Sequence, residues 1–242
     1  MKHIMVEQGS AAWYRVRLGI PTASNFDKII TPGGKASTQA RKYKYRLIAE
    51  RLLRESQDDE IGHVKWVAAG KENEPYAVAH FQEVEGIELK KCGFIITDDG
   101  RLGASPDRLI GQREAIEIKC PAAFTQIGYL LDGIVEKDLE QYTPQVQGQI
   151  LVGEFECVHF FSWHSRMPPF HKITLPMPNY QALMRGHLNQ FCDELDRDTE
   201  RAKALGAYAV STEIITPGEA AYSDEEPYRL VFPEGGGDLG SA

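Results

Sequence analysis

Asp107, Glu117 and Lys119 are the side chains of this sequence best placed to do chemistry together. They lie in the runs Ser105-Pro106-Asp107 and Glu117-Ile118-Lys119. Side chains alternate along a strand, so Glu117 and Lys119 share one face while Ile116, Ile118 and Cys120 turn toward the core. Asp107 falls near the end of one strand, and the tight turn Gly111-Gln112-Arg113 folds the next strand back onto it. Hard oxygen ligands of this kind suit Mg2+, with Mn2+ also acceptable, and water held by such an ion is a good nucleophile at neutral pH. Hydrolysis of a phosphodiester is the usual use of such a set. The spacing alone is equally that of a hairpin with polar residues on its wet face.

Further residues extend the set. Glu74 shares a helix face with Ala77, Val78 and Phe81, and a carboxylate on an apolar face is costly unless paired or metal-bound. The other reading places it in a first helical turn, with Pro75 opening the helix and the dipole favouring the charge. Gln141, Gln145 and Gln149 recur every fourth residue beside an apolar stripe of Tyr142, Val146 and Ile150. A helix face with amides and no charges lines a polar cleft or forms a buried amide network. Arg17, Thr22 and Ser24 surround a helix start, where exposed N–H groups and an Arg fork bind anions. Arg41, Lys42, Lys44 and Arg46 interleave with Tyr43 and Tyr45, either as a DNA-backbone surface or as an ordinary solvated face. The seven histidines show no metal-ligand spacing, and His159 and His164 read as structural.

The elements that must position these residues follow from periodicity and turn signals. Ser10 caps a short helix carrying Trp13, Arg17 and Leu18. A second helix starts at Pro21-Thr22-Ala23-Ser24 and ends near Thr31–Gly34. A third runs from Thr38 to Ser56 with Leu47, Ile48, Leu52 and Leu53 inward, followed by an acidic loop at Asp58–Gly62. Trp66–Val84 is helical. Strands are expected at Leu89–Thr97, Leu102–Ser105, Asp107–Ile110 and Glu114–Cys120, with Asp98-Asp99-Gly100 as a hairpin turn. A helix over Val135–Val152, strands at Glu156–Trp163 and Phe170–Leu175, and a helix over Asn179–Leu205 complete the pattern. Helices followed by hairpins and then a helix with closing strands describe an α/β or α+β chain with one central mixed sheet flanked by helices.

Length and composition set bounds. The 242 residues divide into one large domain over 1–210 and an acidic extension over 211–242. From Glu213 onward there are seven acidic residues and one Arg, yet Tyr228, Leu230, Val231 and Phe232 are too apolar for a pure linker. They either pack on the body or dock a partner. The net charge of -8 argues against a nucleic-acid enzyme only as a sum. Residues 1–56 hold eleven Lys and Arg against four Asp and Glu, and a localised basic region can bind phosphate within an acidic chain. No apolar run is long enough to span a bilayer and no signal-peptide pattern opens the sequence. Cysteines at 92, 120, 157 and 192 lack metal spacing, and the three of them in apolar segments read as reduced core thiols of a cytosolic protein.

Several of these motifs occur in a familiar order. Trp13-x-x-x-Arg17-x-Gly19-x-x-Thr22-Ala23-Ser24, Gly70-Lys71 with Glu74, Ser105-Pro106-Asp107, Glu117-Ile118-Lys119-Cys120-Pro121 and Gln145-Val146-Gln147 together resemble phage lambda exonuclease and its viral recombinase relatives. The resemblance covers roughly Glu7 to Leu175. It implies a restriction-endonuclease-like PD-(D/E)xK core and digestion of one strand of duplex DNA from a 5′ end. Mononucleotides and a 3′ single-stranded tail would result, the tail passing to a single-strand annealing protein in recombination. Carried over by motif, Asp107, Glu117 and the Ile118 carbonyl would hold Mg2+, with Glu74 on the second-metal side. Lys119 would orient or deprotonate the attacking water, Gln145 would assist, and Arg17, Ser24 and Ser105 would receive the 5′-phosphate. The resemblance also implies a homo-oligomer, a ring trimer around DNA, in the cytoplasm of a bacterial host and encoded by a phage or prophage. Two other readings keep some of these residues: an endonuclease of the same fold, and a non-catalytic DNA-binding scaffold for recombination proteins.

Overall fold

Ile116 and Ile118 are buried against Phe81, while Glu117, between them, is buried on the opposite side. That alternation organises the molecule. The computed structural model describes residues 1–57, 65–131 and 141–207. The acidic loop at Asp58–Gly62, the expected helix start at Val135 and the acidic extension lie outside the described residues.

The chain runs β1 (Lys2–Ile4), α1 (Ala11–Arg17), a 3-10 turn (Ala23–Lys28), α2 (Ala40–Leu53), α3 (Lys65–Glu85), β2 (Leu89–Lys91), β3 (Phe94–Ile96), β4 (Gly103–Ala104), β5 (Arg108–Ile110), β6 (Glu114–Lys119), α4 (Ala123–Leu131), α5 (Thr143–Gly153), β7 (Cys157–His164), β8 (Met167–Thr174) and α6 (Pro178–Ala204). A five-stranded mixed sheet has the order β2-β5-β6-β7-β8, and a small antiparallel sheet has the order β1-β3-β4. In the larger sheet only β6 and β7 are parallel, with Glu114 opposite Cys157 and Lys119 opposite Ser162. A parallel pair needs a crossover, and α4 and α5 lie within it. Helices flank this sheet, as the element pattern predicts.

Several elements differ from the sequence expectation. The strand expected over Leu89–Thr97 is two strands in two sheets, broken at Cys92-Gly93. Gly93 has φ +77°, and a Cβ there would lie 2.5 Å from the Ile4 carbonyl oxygen, so only glycine permits the crossing from one sheet to the other. The second helix is a short 3-10 turn. Pro75 lies inside α3, so Glu74 sits within the helix and not in its first turn. Leu53 is 42% exposed and does not join Leu47, Ile48 and Leu52 in the core. Pro168 and Pro169 are accommodated in β8 because β8 is an edge strand.

Two apolar clusters hold the arrangement. The larger one packs α2, α5 and α6 with the 3-10 turn, through Phe26, Leu47, Ile150, Met184 and Leu188. The smaller one joins Phe81 of α3 to Ile116, Ile118 and Phe161 on one sheet face. On the other face Phe160 meets the rings of Tyr129 and Tyr142. The contact between α5 and the 3-10 turn is close because position 148 is glycine. A Cβ there would stand 2.4 Å from the Phe26 ring and 3.2 Å from Ala23 Cβ. Gly148→Ala is therefore expected to lose stability: overpacking costs about 1–3 kcal/mol, against about 1 kcal/mol recovered from helix propensity. Urea denaturation checks this, and a variant more stable than the parent would mean that Phe26 can move aside.

Candidate active site

Glu117 is 3% exposed and is the hub of the site. Its Oε1 accepts from Lys119 Nζ at 2.5 Å and from Gln145 Nε2 at 2.7 Å. Its Oε2 accepts from Gln149 Nε2 at 2.6 Å. The strand places Glu117 and Lys119 on one face, and the helical period of α5 brings two amides of the Gln stripe down onto them. Three donors, one of them charged, are what a buried carboxylate requires. Burial works against the Lys119 ammonium, but the Glu117 and Asp107 carboxylates outweigh it and lift its pKa above the ordinary lysine range. Lys119 also lies 5.2 Å from the centre of the Tyr142 ring.

Asp107 immediately precedes β5, and its Oδ2 accepts from the Ile118 N–H at 2.6 Å, tying the two strands together. Burial, then the nearby Glu117 carboxylate, raises the Asp107 pKa well above the usual aspartate value. Two carboxylates that strain against each other this way have an excess of negative charge that a divalent cation relieves. Gln149 Oε1 is buried beside them and finds no donor among the described residues. The donor set is all oxygen, which matches a hard cation such as Mg2+ and not zinc. Glu74 is turned to Arg108, whose Nη1 lies 2.9 Å from Glu74 Oε1 and donates to the Asp107 carbonyl oxygen. Among the described residues the carboxylates of Glu74, Asp107 and Glu117 do not all come within 4.8 Å of one another. Asp107, Arg108 and Glu74 face a cleft of about 420 Å³ that Trp13 and Tyr14 also line, a volume in the range of ligand-binding clefts.

The second group of residues lies one short step along the chain. Ser105 Oγ accepts from Trp13 Nε1 at 3.0 Å and from Arg17 Nη1 at 3.3 Å. Arg17 Nη2 reaches Ser24 Oγ at 3.5 Å, and the guanidinium carbon stacks 3.8 Å from the centre of the Trp13 ring. Thr22 Oγ1 lies 3.2 Å from Ser24 Oγ. Ser10 caps α1 by accepting from the Trp13 N–H, which fixes the helix that presents Trp13 and Arg17. Arg17 thus links Ser24, seven positions on, to Ser105, 88 positions on.

The basic helix α2 behaves differently from the simplest DNA-surface reading. Tyr43 is buried, and Lys44 is held by Glu194 at 2.9 Å and Asp198 at 2.6 Å on α6. Lys44 therefore locks two helices together, while Arg41 donates to Tyr45 on the exposed side. Three residues of the site were not singled out by sequence reasoning in these roles: Gln149 on Glu117, Arg108 on Glu74, and Trp13 on Ser105. The signal for Gln149 was present in the fourth-residue stripe it shares with Gln145.

Residues 12–156 match the YqaJ-like viral recombinase domain. The chain belongs to that family. An alkaline exonuclease from Laribacter hongkongensis has a solved structure with 28% identity and a TM-score of 0.71, covering 82% of this chain and 98% of that one. Its complex with dAMP matches over the same shares at 27% identity, also with a TM-score of 0.71. A phage-related exonuclease from Haemophilus somnus 129PT shares the fold at 14% identity with a TM-score of 0.61, covering 75% of this chain and 96% of that one. No curated protein matches the sequence. Membership of the viral recombinase family, with likeness to an alkaline exonuclease, supports a nuclease role in recombination. Among the described residues no helix is long and apolar enough to cross a membrane.

Proposed function

We propose that this viral recombinase domain is a divalent-metal-dependent 5′-to-3′ exonuclease. On this reading it degrades one strand of duplex DNA to mononucleotides and leaves a 3′ single-stranded tail for an annealing partner. One observation carries the reading. The Arg17–Ser105–Ser24 group and the Asp107–Glu117–Lys119 group are joined through Ser105-Pro106-Asp107, and two residues span at most about 7 Å. A terminal phosphate at the first group lies a short step from the carboxylates, which suits removal of one nucleotide at a time. Residues 1–210 carry this activity in the proposal, and 211–242 form an extension outside it.

Asp107, Glu117 and the Ile118 carbonyl are the groups that would hold Mg2+, with Glu74 at its margin. The ion, when bound, supplies Lewis-acid charge to the phosphoryl oxygens and acidifies water. The chain does the rest. Lys119 orients or deprotonates the attacking water, and as an ammonium it offsets the negative charge that grows on the phosphoryl oxygens. Gln145 and Gln149 hold Glu117 in one rotamer, so that its oxygens do not turn away from Asp107. Arg17 forms a fork over the 5′-phosphate while Trp13 braces the guanidinium from behind.

The test is linear duplex labelled at the 5′ or 3′ end and incubated with Mg2+, with and without chelator. Early release of the 5′ label as mononucleotide, abolished by chelation, is expected. Loss of the 3′ label first, or cleavage of covalently closed circles, would replace the reading with another polarity or an endonuclease. Arg17→Ala is expected to cut the preference for 5′-phosphorylated over 5′-hydroxyl ends by about tenfold to a hundredfold, the worth of a charge-assisted hydrogen bond. Competition between the two substrates measures it, and an unchanged ratio would move the phosphate elsewhere.

A further inference from the structure

On the face of the sheet turned toward α3, away from Glu117, a thiol, an imidazole and a carboxylate converge. Cys157 stands opposite Glu114 across the parallel β6–β7 pair, and His159 lies two residues farther along β7. Cys157 Sγ, a His159 ring nitrogen and a Glu114 carboxylate oxygen all lie within 4.8 Å of one another. We propose that Glu114, Cys157 and His159 form a binding site for a zinc-type transition-metal ion, separate from the nuclease carboxylates.

Three observations support it. First, the donor set is one sulfur, one nitrogen and one oxygen, the mixture that borderline-soft ions select and Mg2+ does not. Second, His159 is oriented as a metal-binding histidine usually is. Its Nδ1 lies 2.9 Å from His171 Nε2, and His171 Nδ1 lies 3.3 Å from Glu85. This outer chain fixes the ring and leaves Nε2 directed at Glu114, 3.0 Å away. Third, Cys157 and His159 are buried, whereas the Glu114 side chain is 37% exposed, which gives the site an opening to solvent. An ion would reach the site past Glu114 and keep a water in its fourth position. Binding is a simple exchange without redox change. The Cys157 S–H bond breaks, its proton leaves to solvent, and a sulfur–metal bond forms. The thiol holds that proton firmly without an ion, since burial and the adjacent Glu114 push its pKa up to about 11. The occupied site would staple β6 to β7 at the end of the pair away from Lys119.

The experiment uses the full chain carrying Cys120→Ser, because Cys120 lies near Asp107 and Glu74 and offers a competing thiol. Excess Mg2+ is present throughout, and Co2+ is titrated as the optical probe. One equivalent should produce thiolate-to-cobalt charge-transfer absorption in the near ultraviolet, and Zn2+ should displace it. Cys157→Ser should abolish the band. Glu114→Gln, at a half-exposed position that leaves the core intact, should weaken Co2+ binding by about tenfold or more. Absence of the band in the folded parent, or a band of full strength in Cys157→Ser or of unchanged affinity in Glu114→Gln, would overturn the proposal. Nuclease activity is not read in this experiment, so its outcome is independent of the function proposed above.

Discussion

Lys119→Ala will slow the cleavage step on linear duplex DNA by about 10²–10³-fold, the usual cost of removing one preorganised charge stabiliser, and will leave DNA affinity nearly unchanged. The separation follows from where the ammonium sits. Lys119 is bonded to Glu117 and placed beside Asp107, so in the proposed mechanism it meets the reacting phosphoryl group and not the length of the duplex. Folding should survive the change, because Glu117 keeps the amide donors of Gln145 and Gln149. Single-turnover cleavage and equilibrium binding in Ca2+ measure the two effects separately. A variant that cleaves at the parental rate would remove Lys119 from the mechanism, and one that no longer binds DNA would make it a docking residue. Lys119→Arg sharpens the result: it restores charge but not the compact point donor, so only partial recovery is expected.

The largest loss of stability is expected from Phe81→Ala. Phe81 is fully buried, and its ring stands 5.1 Å from Phe161, 5.3 Å from His171 and 6.1 Å from His159, centre to centre. Among the described residues it is the largest α3 side chain in the cluster that joins this helix to β6 and β7. Truncating such a residue removes its transfer free energy and leaves a cavity, together about 3–5 kcal/mol. For a chain of this size that lowers Tm by roughly 6–20 °C. Calorimetry reads it directly. A shift smaller than that range would mean that the ring contributes little and that α3 is held by other contacts.

Period-two and period-four patterns made the centre of the site legible. Glu117 and Lys119 face the same way because strands alternate, and Gln145 and Gln149 meet Glu117 because the stripe repeats every fourth residue. Gln147, two residues off the stripe, instead accepts from the Met177 N–H and donates to the Leu175 carbonyl oxygen. What was not legible depends on tertiary partners. Nothing near Lys44 in sequence announces Glu194 or Asp198, separated from it by 150 residues or more. The break at Gly93 is imposed by the carbonyl of Ile4, which belongs to another strand altogether. Arg108 reaches Glu74 only because β5 passes α3. The sequence reading assigns no element to Ala123–Leu131, which forms α4 and packs Tyr129 against Phe160 and Phe170.

Synthesis order gives the β6–β7 crossover a last consequence. Glu117 obtains its amide donors from residues 28 and 32 positions farther along, and Ser105 obtains Trp13 and Arg17 from 92 and 88 positions earlier. Loops of that length close slowly and late. A ribosome that has delivered only the first hundred residues holds neither half of the machinery, and a chain severed before Gln145 has its acids without their amides. Both groups become complete only once synthesis has passed Gln149, so any fragment ending earlier is expected to lack the assembled site.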